Sequence, residues 1–315
     1  MTVARRPSAK TEVTRVVCEQ LAPRVGDLTY NKGLALDAVR RALADGADIV
    51  VLPELVTSGY VFETAEEART TAITVEDPFF TELSALLAGT RGVVVLGFCQ
   101  DAGDTLYNSA AVVDASGVRA VYRKTHLWDR ETLFFTPGDR TPPVVDTAHG
   151  RIGVLICYDL EFAEMPRRLA LAGADLIAVP TNWPLVEHPA GQYPAEIIQA
   201  QSAARANGVF IACADRSGVE RGQQWTQGTA VIDQYGWLTS TASAPSAAST
   251  AATAPSAASE AASAPSAASD AASASEQRAV ADLFLHLSRD KALSPHNDLL
   301  GDRRPDIYTQ ETPLL

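Results

Sequence analysis

Ile152-Gly-Val-Leu-Ile-Cys157-Tyr-Asp159, with a helical pattern over 164–172 closed by Gly173, decides how the rest of the chain is read. The apolar run lacks polar alternation, as expected of a strand covered on both faces. Gly173 is the residue type that ends helices in the left-handed conformation. A cysteine therefore stands between a buried strand and a helix, at the strand end where open α/β sheets carry their sites. A following helix N-terminus would favour its thiolate. Taken alone, the run is equally compatible with a buried, inert thiol.

The same alternation continues in both directions. Residues 13–18, 48–52, 93–98, 175–179 and 209–214 read as strands, and 31–44, 79–87 and 194–207 as helices, with Asn31 placed to cap the first. Residues 108–114 and 118–122 flank Ala-Ser-Gly, a hairpin signal, and 228–233 faces Trp237 onward across Gln-Tyr-Gly. Strands alternating with helices, plus hairpins, predict a layered α/β fold with mixed sheets.

One stretch departs from this pattern. Residues 239–275 are Ala, Ser, Thr and Pro, with only Glu260 and Asp270 charged, and SAPSAASTAA, TAPSAASEAA and SAPSAASDAA succeed one another from Ser243. Nothing large is available to bury, so ordering entropy goes uncompensated. The expectation is a solvated loop spliced into a hairpin between strands near Trp237 and Val280. A single domain over 13–315 is expected around it, preceded by a flexible tail over 1–12.

Composition narrows the function. Hydrophobic residues make up 46% of the chain, enough for a sizeable core. The net charge of −12 disfavours nucleic acid and anionic membrane surfaces as partners. No apolar run approaches the ~20 residues that span a bilayer. Arg5, Arg6 and Lys10 are not followed by the apolar stretch of a signal peptide. The four cysteines form no CxxC, and three of them lie in or at the end of apolar runs, which suits a reducing cytoplasm. Neither metal-ligand spacing nor a glycine-rich phosphate loop is present, so no metal or cofactor is expected.

A thiol nucleophile needs a base, and an attacked carbonyl needs a positive partner. Of the five histidines only His126 has a telling context. Glu54 follows Ile49-Val-Val-Leu-Pro53, so a carboxylate also ends a strand. Lys124, one of only four lysines, follows the second hairpin strand. A compact ammonium suits an oxyanion better than a guanidinium does. Individually, Glu54 could cap a loop and Lys124 could be a solvated turn charge.

Together, Pro53-Glu54-Leu55, Arg123-Lys124-Thr125-His126-Leu127 and Cys157-Tyr158-Asp159, in that order, resemble the nitrilase superfamily of carbon–nitrogen hydrolases. The likeness runs from Gln20-Leu21-Ala22-Pro23 to Asn297-Asp-Leu-Leu-Gly-Asp-Arg-Arg-Pro305; the repeat is foreign to it. The resemblance implies a four-layer αββα sandwich with mixed sheets that dimerises through outer helices, hence a homodimer or higher homo-oligomer. It implies Cys157 as nucleophile, Glu54 as general base and Lys124 as the oxyanion cation. Glu131 would be the second glutamate that positions substrate, with neighbouring Asp129 the alternative, and the Tyr158 backbone N–H would be a second oxyanion donor. A glutamate serving as both base and acid should carry a raised pKa, from burial or from Glu131.

The residues after the cysteine narrow the substrate. Cys-Tyr-Asp resembles the amidase branches, whereas classical nitrilases carry Cys-Trp-Glu. Leu160-Glu161-Phe162-Ala163-Glu164 is similar to aminoamide-hydrolysing members, with Ala163 in place of their proline. Glu161 would attract a cationic substrate group and opposes the arginine of carbamoylases; its alternative is a carboxylate favoured by a helix N-terminus. Asn182 and Trp183 would line the mouth as a polar contact and an apolar wall, with Tyr60 opposite. The expected function is hydrolysis of a small aliphatic carboxamide, amine-bearing in the finer reading, to carboxylate and ammonia through a cysteine thioester. The alternatives are a nitrilase, an N-carbamoyl amide hydrolase, an acyltransferase and a non-catalytic binding protein on the same fold.

Overall fold

A computed structural model describes residues 12–189, 191–242 and 277–308. Its framework is two six-stranded mixed sheets. The first contains β1 (Thr14–Gln20), β2 (Ile49–Val51), β3 (Val93–Asp101), β4 (Leu106–Asp114), β5 (Gly117–Arg123) and β14 (Gln277–Leu283), in the order β14-β1-β2-β3-β4-β5. The second contains β6 (Val144–Asp146), β7 (Arg151–Val154), β8 (Leu176–Pro180), β9 (Phe210–Ala214), β12 (Ala230–Ile232) and β13 (Leu238–Thr241), in the order β13-β12-β9-β8-β7-β6. Two short ladders, β10 (Val219–Glu220) with β11 (Gln223–Gln224) and β15 (Ala292–Ser294) with β16 (Asn297–Asp298), lie outside the sheets. Each sheet is parallel at its centre, β1-β2-β3 in one and β7-β8-β9 in the other, and antiparallel at its margins.

Strand alternation assigns each side chain to a layer. Val16, Cys18, Ile49, Val51, Val93 and Val95 share one core with Ile152, Val154, Leu176 and Ala178 of the other sheet. Their alternates Val17, Val50, Val94 and Leu96 pack outward against α1 (Leu28–Ala44) and α3 (Pro78–Leu87), with the short α2 (Ala65–Thr70) between them in the chain. Met165 and Leu169 of α4 (Glu164–Leu171) and Ile197 and Ala200 of α5 (Ala195–Asn207) cover the outer face of the second sheet. The result is the αββα layering that the resemblance implies. Each fully buried Val or Ile stabilises it by roughly 2 kcal/mol.

Three local expectations need correction. Asn31 does not cap α1; Asp27 does, accepting from Tyr30 N at 3.0 Å. Asn31 is buried, and its amide donates to the carbonyls of Arg24 (2.7 Å) and Thr57 (3.2 Å). Residues 239–241 are not loop but part of β13, because they complete an antiparallel ladder with β12. The strands flanking the repeat do not form a hairpin either: β13 pairs in the second sheet and β14 with β1 in the first. Ala279, Ala281 and Leu283 alternate inward, which commits β14 to the face opposite β12 and β13. The strands before and after the repeat therefore belong to different sheets, and Ser240 Oγ accepts from Val280 N at 3.0 Å where they meet. The repeat from 243 on and the tail over 1–11 lie outside the described residues. Among the described residues no helix is long and apolar enough to cross a membrane.

Candidate active site

Glu54 stands just beyond β2, Lys124 directly after β5 and Cys157 beyond β7, and Glu131 lies on a 3₁₀ turn, Asp129–Leu133. The fold carries all four into one buried cluster. Lys124 Nζ donates to Glu54 Oε1 and to Glu131 Oε1, both at 2.7 Å. Glu54 and Lys124 are 0% exposed, Glu131 3% and Cys157 4%. Asn108 Nδ2 donates to Glu54 Oε1 at 2.7 Å, and the Tyr60 hydroxyl to Glu131 Oε1 at 2.5 Å.

The electrostatics follow from burying two carboxylates with one ammonium. The Glu54 carboxyl is raised to about 7: burial raises it most, the Lys124 ammonium opposes the rise, and Glu131 adds to it. Burial works against the Lys124 ammonium, but Glu131 and Glu54 outweigh it and hold the charge. The Cys157 thiol is raised well above the ordinary thiol range, first by burial and then by Glu54, against Lys124 and a hydrogen bond from the Asn182 backbone. A proton on sulfur, a carboxylate poised near neutrality and a fixed cation thus share one field. That set can deprotonate a thiol during attack and stabilise a developing oxyanion.

Local sequence explains the placement. Glu54 sits on a sharp turn with Leu55 at φ +48°, pressed against β3. A Cβ on Gly97 would lie 2.5 Å from Glu54 Cα, so only glycine allows the approach. Gly97 N donates to Pro53 O at 3.1 Å and Val56 N to Gly97 O at 3.1 Å, fixing the turn. Lys124 N donates to Asn108 O at 2.8 Å, so the ammonium and the amide on Glu54 have a common anchor.

The cysteine turn differs from the expected strand–helix junction. β7 ends at Val154, Cys157–Glu161 is a 3₁₀ turn, and α4 begins only at Glu164. No helix N-terminus therefore stabilises a thiolate; burial keeps the sulfur protonated instead. Cys157 has φ +46°, a conformation L residues seldom adopt. Asp159 holds it there: its carboxylate accepts from Ile156 N (3.3 Å), Tyr122 OH (2.8 Å), His126 N (3.0 Å) and His126 Nδ1 (2.8 Å). One buried carboxylate thus joins the cysteine turn to the strand that carries Lys124.

Residues 15–261 match the family model described as carbon-nitrogen hydrolase. The chain belongs to the carbon–nitrogen hydrolase family. This hydrolase is 35% identical over 297 residues to a protein named nitrilase from Pyrococcus abyssi, which covers 94% of this chain and 99% of that one. It is 36% identical over 222 residues to an (R)-stereoselective amidase from Pseudomonas sp, over 69% of this chain and 76% of that one. A variant of the amidase from Nesterenkonia sp. AN1, solved with acrylamide added at its active-site cysteine, superposes with a TM-score of 0.69 at 25% identity, over 94% of this chain and 98% of that one. The chain is thus a nitrilase-superfamily hydrolase, of the amidase-like branch, that acts on carbon–nitrogen bonds.

The other sequence-selected residues of the hydrolase divide. Tyr60 and Tyr158 adjoin the site; the half-buried Tyr158 ring packs edge-on against Trp128 at 4.8 Å and Phe162 at 5.0 Å. Glu161 is exposed, and its carboxyl is raised by partial desolvation and by Glu196, with Lys124 opposing. Asn182 is not an open polar contact: its Nδ2 donates to the Glu54 carbonyl at 2.9 Å. Trp183 is not an open wall: it is 3% exposed in the core against Gly228, because buried Asp215 takes its N–H at 3.0 Å. Sequence reasoning missed Asn108 and Asp159. Asp159 stood inside the quoted motif, and His126, already singled out, is its partner; Asn108 carried no signal beyond its strand. Among the described residues no cluster of His, Cys, Asp and Glu could hold a metal ion.

Proposed function

We propose that this hydrolase is an amidase that converts a small carboxamide to carboxylate and ammonia through a thioester on Cys157. The observation that carries the reading is the buried Lys124 ammonium shared at 2.7 Å by Glu54 and Glu131, in the field of the Cys157 thiol. Cys157 Sγ attacks the amide carbon while Glu54 takes the thiol proton. Lys124 Nζ and the Tyr158 backbone N–H hold the oxyanion. Glu54 returns its proton to the amide nitrogen, the C–N bond breaks and ammonia leaves. Glu54 then takes a proton from water, whose oxygen attacks the thioester; the acid departs and the thiol is restored. Glu131 orients the carboxamide beside Lys124.

Glu161 supports an amine-bearing substrate, since it is exposed and within the electrostatic reach of Lys124 and Glu196. Glu161→Gln should weaken cationic amides by about tenfold relative to neutral ones; equal effects on both would remove that role. A nitrile substrate is the second reading, favoured by the printed name of the full-length Pyrococcus abyssi relative. Ammonia release from propionamide, propionitrile and N-carbamoylputrescine separates the amide, nitrile and carbamoyl readings. Intact-mass detection of an acyl adduct, absent in Cys157→Ala, tests the thioester. Undiminished turnover by Cys157→Ala would overturn it. Hydroxamate formation with hydroxylamine would show whether an acceptor other than water can resolve the adduct.

A further inference from the structure

A second buried ion pair, outside the reacting groups, grips the loop that carries Tyr60. Arg216 and Glu220 are 1% and 4% exposed, with Arg216 Nη1 3.0 Å from Glu220 Oε1. Glu220 Oε2 accepts two consecutive backbone N–H groups, Tyr60 at 2.9 Å and Val61 at 2.7 Å. The approach is close: Gly59 has φ +78°, and a Cβ there would lie 2.3 Å from Val25 Cα and 2.8 Å from Glu220 Oε1.

The same pair holds the Tyr60 ring. The Arg216 guanidinium lies 4.5 Å above the Trp225 ring, and Trp225 meets Tyr60 edge-on at 5.5 Å. Arg216 is itself anchored by Nη2 donating to Pro23 O at 2.7 Å. Backbone and ring of Tyr60 are therefore both fixed, and its hydroxyl is delivered to Glu131 Oε1 at 2.5 Å. That oxygen also accepts from Lys124, which is shared with Glu54.

We propose that Glu220 is a positioning residue that acts through Tyr60: it holds the hydroxyl on Glu131 and so sets how Lys124 divides its charge between Glu131 and Glu54. With the hydroxyl in place, part of the Glu131 charge is satisfied by a neutral donor, and Lys124 remains available to Glu54. Without it, Lys124 is drawn to Glu131, and Glu54 keeps its proton to higher pH. The proposal rests on the reading of Glu54 as the base for Cys157.

The test is the rate of Cys157 alkylation by iodoacetamide as a function of pH, read by peptide mass. This probe needs no knowledge of the natural substrate, and Cys157 is the one cysteine of the four with any exposed surface, the other three being 0% exposed. Tyr60→Phe and Glu220→Gln should each slow alkylation at pH 7 by about twofold and move the midpoint of its pH profile upward by about half a unit. The double variant should do no more than either single one. Glu220→Asp keeps the charge beside Arg216 but withdraws the carboxylate by one methylene. It should shift the midpoint in the same direction and decides the matter if Glu220→Gln does not fold. A wild-type profile in Glu220→Asp, or losses that multiply in the double variant, would overturn the proposal. Failure of the underlying reading looks different: Glu54→Gln would then leave wild-type alkylation unchanged.

Discussion

Raising the pH through 7 should switch this hydrolase on and weaken its fold at the same time, because both effects originate in the ionisation of Glu54. Burial and Glu131 hold its carboxyl at about 7 against an ordinary 4.5, with Lys124 opposing. In its proposed role as the base, Glu54 acts only when ionised. The kcat/KM for an amide should therefore rise with unit slope below pH 7 and level above it, reaching roughly a tenth of the plateau at pH 6. Stability runs the other way. The folded-state pKa lies above the unfolded one, so the folded state binds the extra proton. That contribution is fully present below about pH 4.5 and is lost as the pH rises through 7. The gap between the two values corresponds to about 3 kcal/mol. Glu54→Gln removes one of the two carboxylates that share Lys124. Its carbonyl oxygen can still accept from Lys124 and Asn108, and Glu54 Oε2 has no hydrogen bond to lose. The variant should be inactive, yet more stable than wild type by about 1–3 kcal/mol at pH 8.5, the advantage vanishing toward pH 5. Urea denaturation of both proteins from pH 5 to 8.5 measures this. Asp215, raised to about 6 by burial, titrates in both and cancels in the difference. Stability curves that run parallel across this range, or an acid limb of kcat/KM near 4.5, would refute the reasoning.

Three further substitutions probe the frame. Cys157→Ser should lose at least about a thousandfold in kcat with an unchanged unfolding midpoint, because a hydroxyl gives up its proton far less readily than a thiol; near-wild-type turnover would exclude the thioester. Asp159→Asn keeps the shape but replaces one acceptor among four donors, so it should cost roughly 2–3 kcal/mol in urea denaturation and lower kcat as the cysteine turn relaxes. A fully stable, fully active variant would show that the Asp159 cluster does not set the turn. Gly97→Ala forces a methyl into the backbone of Glu54 and should cost roughly 2–4 kcal/mol together with most of the activity; an unaffected variant would mean that the two strands are not packed as described.

Much of this was legible because strands announce themselves by composition. The continuous apolar runs around Val50, Val94, Ile152 and Ile177 have no polar face, and all lie between covering layers. The residues at their ends stood out because a charge or thiol following such a run has nowhere inconspicuous to go. What stayed hidden is what local sequence cannot encode. Asn31 looked like a cap because its type suits one, but a buried carbonyl 26 residues away claims its amide. Asn182 and Trp183 looked like pocket residues because they follow a strand, whereas Glu54 and Asp215 draw them inward. That β13 and β14 belong to different sheets was hidden too, since pairing partners are chosen by the inner faces of β1 and β12 and not by proximity in the chain.

The proposed base and nucleophile belong to different sheets, and this makes their geometry a property of the sandwich. Glu54 extends from β2 in the first sheet, Cys157 from β7 in the second. Two bonds tie the sheets at that level: Glu54 N donates to Thr181 O at 3.4 Å, and Asn182 Nδ2 to Glu54 O at 2.9 Å. The Asn182 backbone also reaches the Cys157 sulfur. The segment after β8 therefore touches both reacting partners while contributing no titratable group. Close-packed Val and Ile faces permit little sliding of one sheet over the other, since a shift would open voids or force overlaps. The separation between carboxylate and thiol is thus held by the same apolar contacts that stabilise the fold. Substitutions deep between the sheets, far from any substrate, should consequently change the rate of thiol activation before they change substrate affinity.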